Sequence, residues 1–222
     1  MNYTGPCLAL FGGTFNPPHF GHINPLLALI DEFQLTEVRL LPSPIPPHKS
    51  VDGATFSQRL DMLKLVCEEY PQFTLDLIET QLPEPSYTVR TLQHFRQQFP
   101  DRSIVFIMGQ DSINTLDSWY EWQRILELSH IIVMPRKDTL PAPSEKLKQW
   151  IKRYRQTDTG LLQSTASGQL FFAESPITEV SSTLIRKVLN QALPENPLAD
   201  VIPSSVLNYC RAHKLYLDNT LM

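Results

Sequence analysis

Short apolar runs alternate along the chain with stretches whose apolar positions recur every three to four residues, a pattern that predicts strand and helix in turn. Leu8–Phe11 is the first apolar run, and Ile23, Leu26, Leu27 and Ile30 follow at helical spacing. They predict a strand at Leu8–Phe11 and a helix at His22–Phe33. Glu37–Leu41 reads as a second strand ending at Pro42, and the proline-rich stretch Pro42–Ser50 as a loop. Phe56, Leu60, Leu63, Val66 and Cys67 predict a helix capped by Thr55 or Ser57 that stops before Pro71. Apolar and polar residues alternate through Phe73, Leu75 and Leu77, predicting a third strand over Phe73–Glu79. Pro83-Glu84-Pro85 interrupts, and Ser86 is the expected N-cap of a helix reaching about Gln98.

Ile104–Met108 is a continuous apolar run, as buried parallel strands are. Trp122–Leu128 is expected to be a helix and His130–Met134 the next strand. Ser144–Gln156 predicts a helix, with Lys146, Lys148, Lys152, Arg153 and Arg155 forming a solvated basic face. Leu170–Ala173 is a last short strand, a helix starts within Val180–Arg186, and Pro203 is expected at the first position of a final helix carrying Val206, Leu207 and Cys210. This order implies an α/β fold, a doubly wound parallel sheet with right-handed crossovers. The 222 residues fit one domain spanning 1–222, with 137–168 its least assignable segment.

Composition narrows the function classes. Apolar residues make up 42% and charged residues 19%, and no apolar run approaches the roughly 20 residues of a spanning helix, so neither disorder nor a membrane span is expected. No basic segment precedes Leu8, so no secretory leader is expected. Three scattered cysteines, Cys7, Cys67 and Cys210, argue for reduced thiols and a cytoplasmic location. A formal charge of −4 provides no broad basic surface for a nucleic-acid backbone, so any phosphate recognition must be local.

Local chemistry concentrates first between Leu8 and His22. The run ends in Gly12-Gly13, followed by Thr14, Phe15, Asn16, two prolines and then His19 and His22 at the start of the predicted helix. Glycines open backbone angles closed to other residues, and a helix start offers unpaired N–H groups to an anion. Two histidines at spacing i, i+3 also share a metal in some sites, but no third ligand follows at structural-zinc spacing. Elsewhere, Pro46-Pro47-His48-Lys49 leaves the carboxyl end of the second strand, where open α/β sheets gather ligands. Gly109-Gln110-Asp111 leaves the fourth, placing a carboxylate where ribose hydroxyls can donate to it. Ser181, Ser182 and Thr183 read as a helix cap, with Arg186 one turn from Thr183 on the same face.

Gly-Gly-Thr-Phe-Asn-Pro-Pro-His-Phe-Gly-His resembles the signature of the nucleotidyltransferase superfamily that carries His-x-Gly-His. Pro-Pro-His-Lys, Pro-Ser-Tyr-Thr, Gly-Gln-Asp with Trp119, Tyr120 and Trp122, and Ser-Ser-Thr-Leu-Ile-Arg follow in order. Together they resemble the nicotinate-nucleotide adenylyltransferases of NAD biosynthesis. The resemblance implies a Rossmann-like nucleotidyltransferase fold and transfer of AMP from ATP to nicotinate mononucleotide, with Mg²⁺ and release of pyrophosphate. Gly12, Gly13, Thr14 and Phe15 are then expected to line the ATP site. His22 is expected at the α-phosphate; His19, Arg186, Ser182 and Thr183 at the departing pyrophosphate; Gly109 and Asp111 at the adenosine ribose. His48 and Lys49 fall to the substrate side near the phosphates, while Tyr87, Thr88, Trp119 and Tyr120 hold the acceptor. Trp119 is expected to stack on a ring and Trp122 to pack inward.

Asn16 departs from the family, which often has Asp there. ATP and nicotinate mononucleotide are the implied partners, without nucleic acid or membrane, and an oligomer is left open. Rival readings are an adenylyltransferase with a nicotinamide mononucleotide or phosphopantetheine acceptor, a class I aminoacyl-tRNA synthetase, and a non-catalytic nucleotide sensor. The synthetase reading lacks a tRNA-binding domain's length and a basic face.

Overall fold

The computed structural model describes residues 6–44, 53–136, 141–176, 180–190, 198 and 200–217. Its strands are β1 (Leu8–Gly13), β2 (Val38–Pro42), β3 (Phe73–Leu75), β4 (Ile104–Gly109), β5 (His130–Met134) and β6 (Leu170–Phe172). The helices are α1 (Phe20–Phe33), α2 (Phe56–Glu69), α3 (Thr88–Gln98), α4 (Gln110–Ile113), α5 (Trp122–Leu128), α6 (Glu145–Tyr154), α7 (Leu161–Ser164), α8 (Ser182–Asn190) and α9 (Ser204–Ala212). All six strands pair in parallel in the order β3-β2-β1-β4-β5-β6. The sheet is doubly wound and Rossmann-like, and its order reverses between β1 and β4, the crevice where such sheets take ligands.

Alternate residues of one strand feed opposite cores, as the pleat requires. Ala9, Phe11, Val105 and Ile107 face α1, α2, α8 and α9 through Leu26, Met62, Ile185 and Val206. Leu8, Leu10, Phe106 and Met108 face α3, α5 and α6 through Leu92, Trp122, Ile125 and Leu147. Each buried Val, Leu, Ile, Phe or Met among them contributes roughly 1.5–3 kcal/mol relative to exposure. Burial on both faces explains why β4 and β5 read as unbroken apolar runs.

The departures from expectation have local causes. β1 continues through both glycines, which pair with Leu41 and Pro42 of β2 in extended backbone. β3 stops at Leu75 because Asp76 binds Arg39 at 3.0 Å and accepts the Ile78 N–H at 3.0 Å, turning the chain into a short 3₁₀ segment at Ile78–Thr80 instead of a strand to Glu79. α3 starts at Thr88, with Tyr87 rather than Ser86 at the cap and no side-chain cap bond. Ser86 is exposed ahead of that cap. Thr55, not Ser57, caps α2 in a capping box with Gln58. Pro203 stands at the N-cap of α9, one position ahead of the expected one. Ser144 caps α6, and Lys146, Arg153 and Arg155 lie over the rings of Trp122, Tyr154 and Phe172 rather than forming only a solvated face. Among the described residues, no helix is long and apolar enough to cross a membrane.

Candidate active site

The glycine turn is shaped by its neighbours more than by its glycines. Gly12 and Gly13 do not take positive φ; Phe15 does, at 49°, and its ring is buried edge-on against Phe11 and His22. A Cβ on Gly13 would approach that ring to 2.9 Å, whereas one on Gly12 would meet open space, so Gly12 leaves room for a ligand beside the main chain. Thr14 is exposed beside them.

Asn16 ties the turn to the rest of the molecule. Its carbonyl accepts from Arg186 Nη1 at 2.8 Å, and its Oδ1 accepts from the Ala54 N–H at 3.2 Å and from Tyr216 Oη at 2.8 Å. A buried amide oxygen makes those bonds without the cost of burying a carboxylate.

His19 occupies the N-cap position of α1 and His22 the third residue of the helix. Their ring centroids lie 3.9 Å apart. His19 is buried; His22 is partly exposed as a residue, but in both the Nδ1 atom is enclosed and unpartnered. Burial, and then the positive charge of Arg136, lowers the His19 pKa to about 3. Burial, His19 and Arg136 hold His22 well below its ordinary value. Both imidazoles are therefore neutral. The helix start is less open than expected: Phe20 N–H donates to the Val201 carbonyl and His22 N–H to that of His19. Gly21 is required between them, since a Cβ there would lie 2.7 Å from the Val180 carbonyl and 2.8 Å from the His19 ring.

The segment before α8 closes onto the same turn. Ser181 is its cap, accepting from Leu184 N–H at 3.2 Å. Ser182 spends its hydroxyl on the Pro17 carbonyl at 3.0 Å, and Thr183 accepts from Arg186 Nη2 at 3.3 Å. Across the crevice, Gly109 admits the Asp111 carboxylate and the Arg136 guanidinium, both of which a Cβ would strike. Arg136 Nε lies 3.4 Å from Asp111 Oδ1, so that carboxylate faces a cation as well as solvent.

On the acceptor side, Tyr87 and Tyr120 stack on each other at 4.6 Å, with Arg90 over both rings. Their faces are thus shared between themselves, while Trp119 rests edge-on against Phe106 and Trp122 packs inward. The Trp119 N–H is occupied by the Leu116 carbonyl at 2.9 Å. Thr88 begins the uncapped α3, whose Thr91 hydroxyl donates to Glu79 at 3.2 Å; burial pushes the Glu79 carboxyl up and that bond opposes the shift. His48 and Lys49 lie outside the described residues.

The structure brings the glycine turn, His19, His22, Ser182, Thr183 and Arg186 together, and separately Tyr87 with Tyr120 and Gly109 with Asp111. Sequence reasoning missed Arg136, Tyr216 and Glu79, while Ser181 caps α8 as its sequence position predicts. For Arg136 the available signal was its place directly after a strand. Among the described residues no three His, Cys, Asp or Glu side chains converge, so there the zinc alternative finds no third ligand.

Comparison with known proteins finds relatives of the chain. The family model described as cytidylyltransferase-like matches residues 10–188. A probable nicotinate-nucleotide adenylyltransferase of Idiomarina loihiensis is 40% identical over 210 residues, covering 94% of this chain and 99% of the relative. One from Klebsiella pneumoniae is 38% identical over 94% and 96% of the two chains. Among solved structures, the nicotinic acid mononucleotide adenylyltransferase of Plasmodium falciparum complexed with NaAD matches the fold with a TM-score of 0.69 at 17% identity, over 96% of this chain and 98% of that one.

Proposed function

The chain belongs to the nicotinate-nucleotide adenylyltransferases, and from that premise we propose that its stacked histidines, Arg186 and the turn they share handle the phosphates of ATP. The enzyme transfers AMP from ATP to nicotinate mononucleotide, forming nicotinate adenine dinucleotide and pyrophosphate in NAD biosynthesis. A phosphate oxygen of the mononucleotide attacks the α-phosphorus while the bond to the bridging oxygen of pyrophosphate breaks, its electron pair leaving with that oxygen. Little covalent work falls to the protein, which must hold the two reactants in line and offset charge.

Each neutral imidazole offers a single N–H, and arriving phosphate charge favours its protonated form. His22 serves the α-phosphate, and His19, Arg186 and Thr183 the departing pyrophosphate. With its hydroxyl on Pro17, Ser182 steadies the turn instead of reaching for phosphate. Gly109 and Asp111 take the adenosine ribose, with Arg136 an added cation at the same edge. Tyr87, Thr88, Trp119 and Tyr120 hold the acceptor, and His48 and Lys49 keep the phosphate-side role that their motif implies.

Mg²⁺ enters with ATP. Among the described residues the donor set is rich in nitrogen cations and imidazoles, and its carboxylate, Asp111, already faces Arg136. The ion's ligands would then be chiefly phosphate oxygens and water, as is usual for Mg²⁺, and it would supply charge neutralisation. Three unpaired thiols, Cys7, Cys67 and Cys210, support a cytoplasmic location.

The observation that carries this reading is the bond from Arg186 to the Asn16 carbonyl, which joins the last motif to the first beside the stacked histidines. The test is pyrophosphate release from ATP with nicotinate mononucleotide as acceptor. Release only with phosphopantetheine, or ATP binding without any release, would overturn it.

A further inference from the structure

The apolar stripe of α2 carries one residue that a stripe does not call for. Arg59 lies among Met62, Leu63 and Val66 on the buried face and is 0% exposed. Its guanidinium sits 5.0 Å from the centre of the Phe56 ring, Nη1 donates to the Thr14 carbonyl at 2.6 Å, and Nη2 donates to the Ser43 carbonyl at 3.0 Å. Nε has no partner. Its contacts are thus two carbonyls and a ring, with no carboxylate among the described residues to neutralise it. Burying an unneutralised cation is expensive, and an apolar residue of similar volume would serve the core better if packing were all the position required.

The two carbonyls locate the use. Thr14 precedes Phe15, the residue held at positive φ, in the turn after β1. Ser43 follows β2 and donates its own N–H to the Gly13 carbonyl at 2.9 Å. Arg59 therefore spans, from beneath, the exits of the two strands that frame the glycine turn. We propose that Arg59 is a positioning residue for the phosphates of ATP: its forked donors fix the Thr14 and Ser43 carbonyls, and its charge, which no carboxylate of the described residues meets, adds to the positive field at the turn. The inference rests on the adenylyltransferase reading above, and it assigns Arg59 no contact with substrate. Two parallel donors set an angle as well as a distance, which a lysine cannot reproduce, and small misplacements of reacting groups cost orders of magnitude in rate.

The experiment uses the full chain and the variants Arg59→Lys and Arg59→Met, with folding checked by circular dichroism and thermal melting. ATP affinity is measured by calorimetry across a range of salt, separately from turnover with nicotinate mononucleotide. Arg59→Met is expected to weaken ATP binding about tenfold or more and to flatten its salt dependence, since a source of positive field is lost. Arg59→Lys is expected to keep the salt dependence and most of the affinity but to lower kcat about tenfold, with the KM for the mononucleotide within about threefold of the parent. A purely structural role would lower the melting temperature without separating charge from fork in this way. Folded variants with parental ATP affinity, salt dependence and kcat would overturn the inference. If Arg59→Met does not fold, Arg59→Lys decides, with parental kcat overturning it. If the parent chain binds ATP but does not release pyrophosphate with nicotinate mononucleotide, the adenylyltransferase reading fails, and the ATP-binding arm still judges Arg59.

Discussion

The imidazoles of His19 and His22 lie ring against ring, 3.9 Å between centroids and 32° from parallel, three residues apart at the start of α1. Burial keeps both neutral, so truncating His22 removes a hydrogen-bond donor and a stacking partner and no net charge at pH 7. If the donor acts mainly in the transition state, His22→Ala lowers kcat by about 10²–10³ while ATP affinity changes little. Single-turnover kinetics and calorimetry on the variant check this; loss of affinity with parental kcat would make His22 a binding residue only.

Arg186 is expected to behave otherwise. Its guanidinium holds the Asn16 carbonyl and reaches the Thr183 hydroxyl, so it shapes the turn in the free enzyme and acts on ground state and transition state together. Arg186→Ala should weaken ATP binding as well as kcat, and Arg186→Lys should recover only part because the planar fork is lost. Calorimetry showing parental ATP affinity in the alanine variant would contradict the placement.

These two predictions use residues legible in the sequence, and so is most of the fold. α5 and β5 begin and end at the residues their patterns mark, because both are set by local apolar runs buried on the sheet. β3 is not so legible: the alternation through Leu77 is real, but Asp76 diverts the chain by a salt bridge to Arg39, a partner 37 residues away. The site divides the same way. His19, His22 and Arg186 announce themselves by type and spacing. Arg59 leaves only a faint trace, a cation on an apolar helical face, and Tyr216 leaves none, because its bond to Asn16 joins residues 200 positions apart. Even at Gly12-Gly13 the local rule misleads: the strained backbone falls on Phe15, held there by packing.

His130, far from the crevice in sequence role, sets an acid limit on stability. Nε2 faces the Thr165 carbonyl at 2.9 Å and Nδ1 accepts from the Gln169 N–H at 3.2 Å, an arrangement that only the neutral tautomer with hydrogen on Nε2 satisfies. Burial, with the Arg96 charge assisting, lowers its pKa to about 4. The folded pKa lies below the unfolded value near 6.5, so this stability is present above about pH 6.5 and is lost as pH falls toward 4. One proton over that interval corresponds to about 3 kcal/mol. Urea unfolding from pH 7 to 4 should show this loss in the parent and a shallower one in His130→Asn. Equal slopes would show that His130 is not the titrating group.

The acceptor's ring substituent is expected to be read as an acid. α3 begins without a side-chain cap; the Arg90 and Thr91 N–H groups donate to the Tyr87 carbonyl at 2.9 and 3.3 Å, which leaves those of Thr88 and Val89 as the first-turn donors, and Arg90 lies over the Tyr87 and Tyr120 rings. The Trp119 N–H is already held by Leu116 and is no longer among the donors the sequence offers. Of the two acids here, Glu79 accepts from Thr91 Oγ1 at 3.2 Å, and Glu121, next to Tyr120, is paired with the Arg124 guanidinium. Donors and a cation suit a carboxylate, and each charge-assisted hydrogen bond contributes about 1.5–3 kcal/mol. Two such bonds favour nicotinate over nicotinamide mononucleotide by roughly 10²-fold or more in kcat/KM, because an amide NH₂ would meet a donor and leave both unsatisfied. Measuring the two mononucleotides side by side decides the point, with equal values or a preference for the amide sinking the donor-pocket account. Trp119→Ala separates stacking from charge recognition: it should weaken both substrates alike and leave their ratio unchanged, whereas Arg90→Ala should lower the ratio itself.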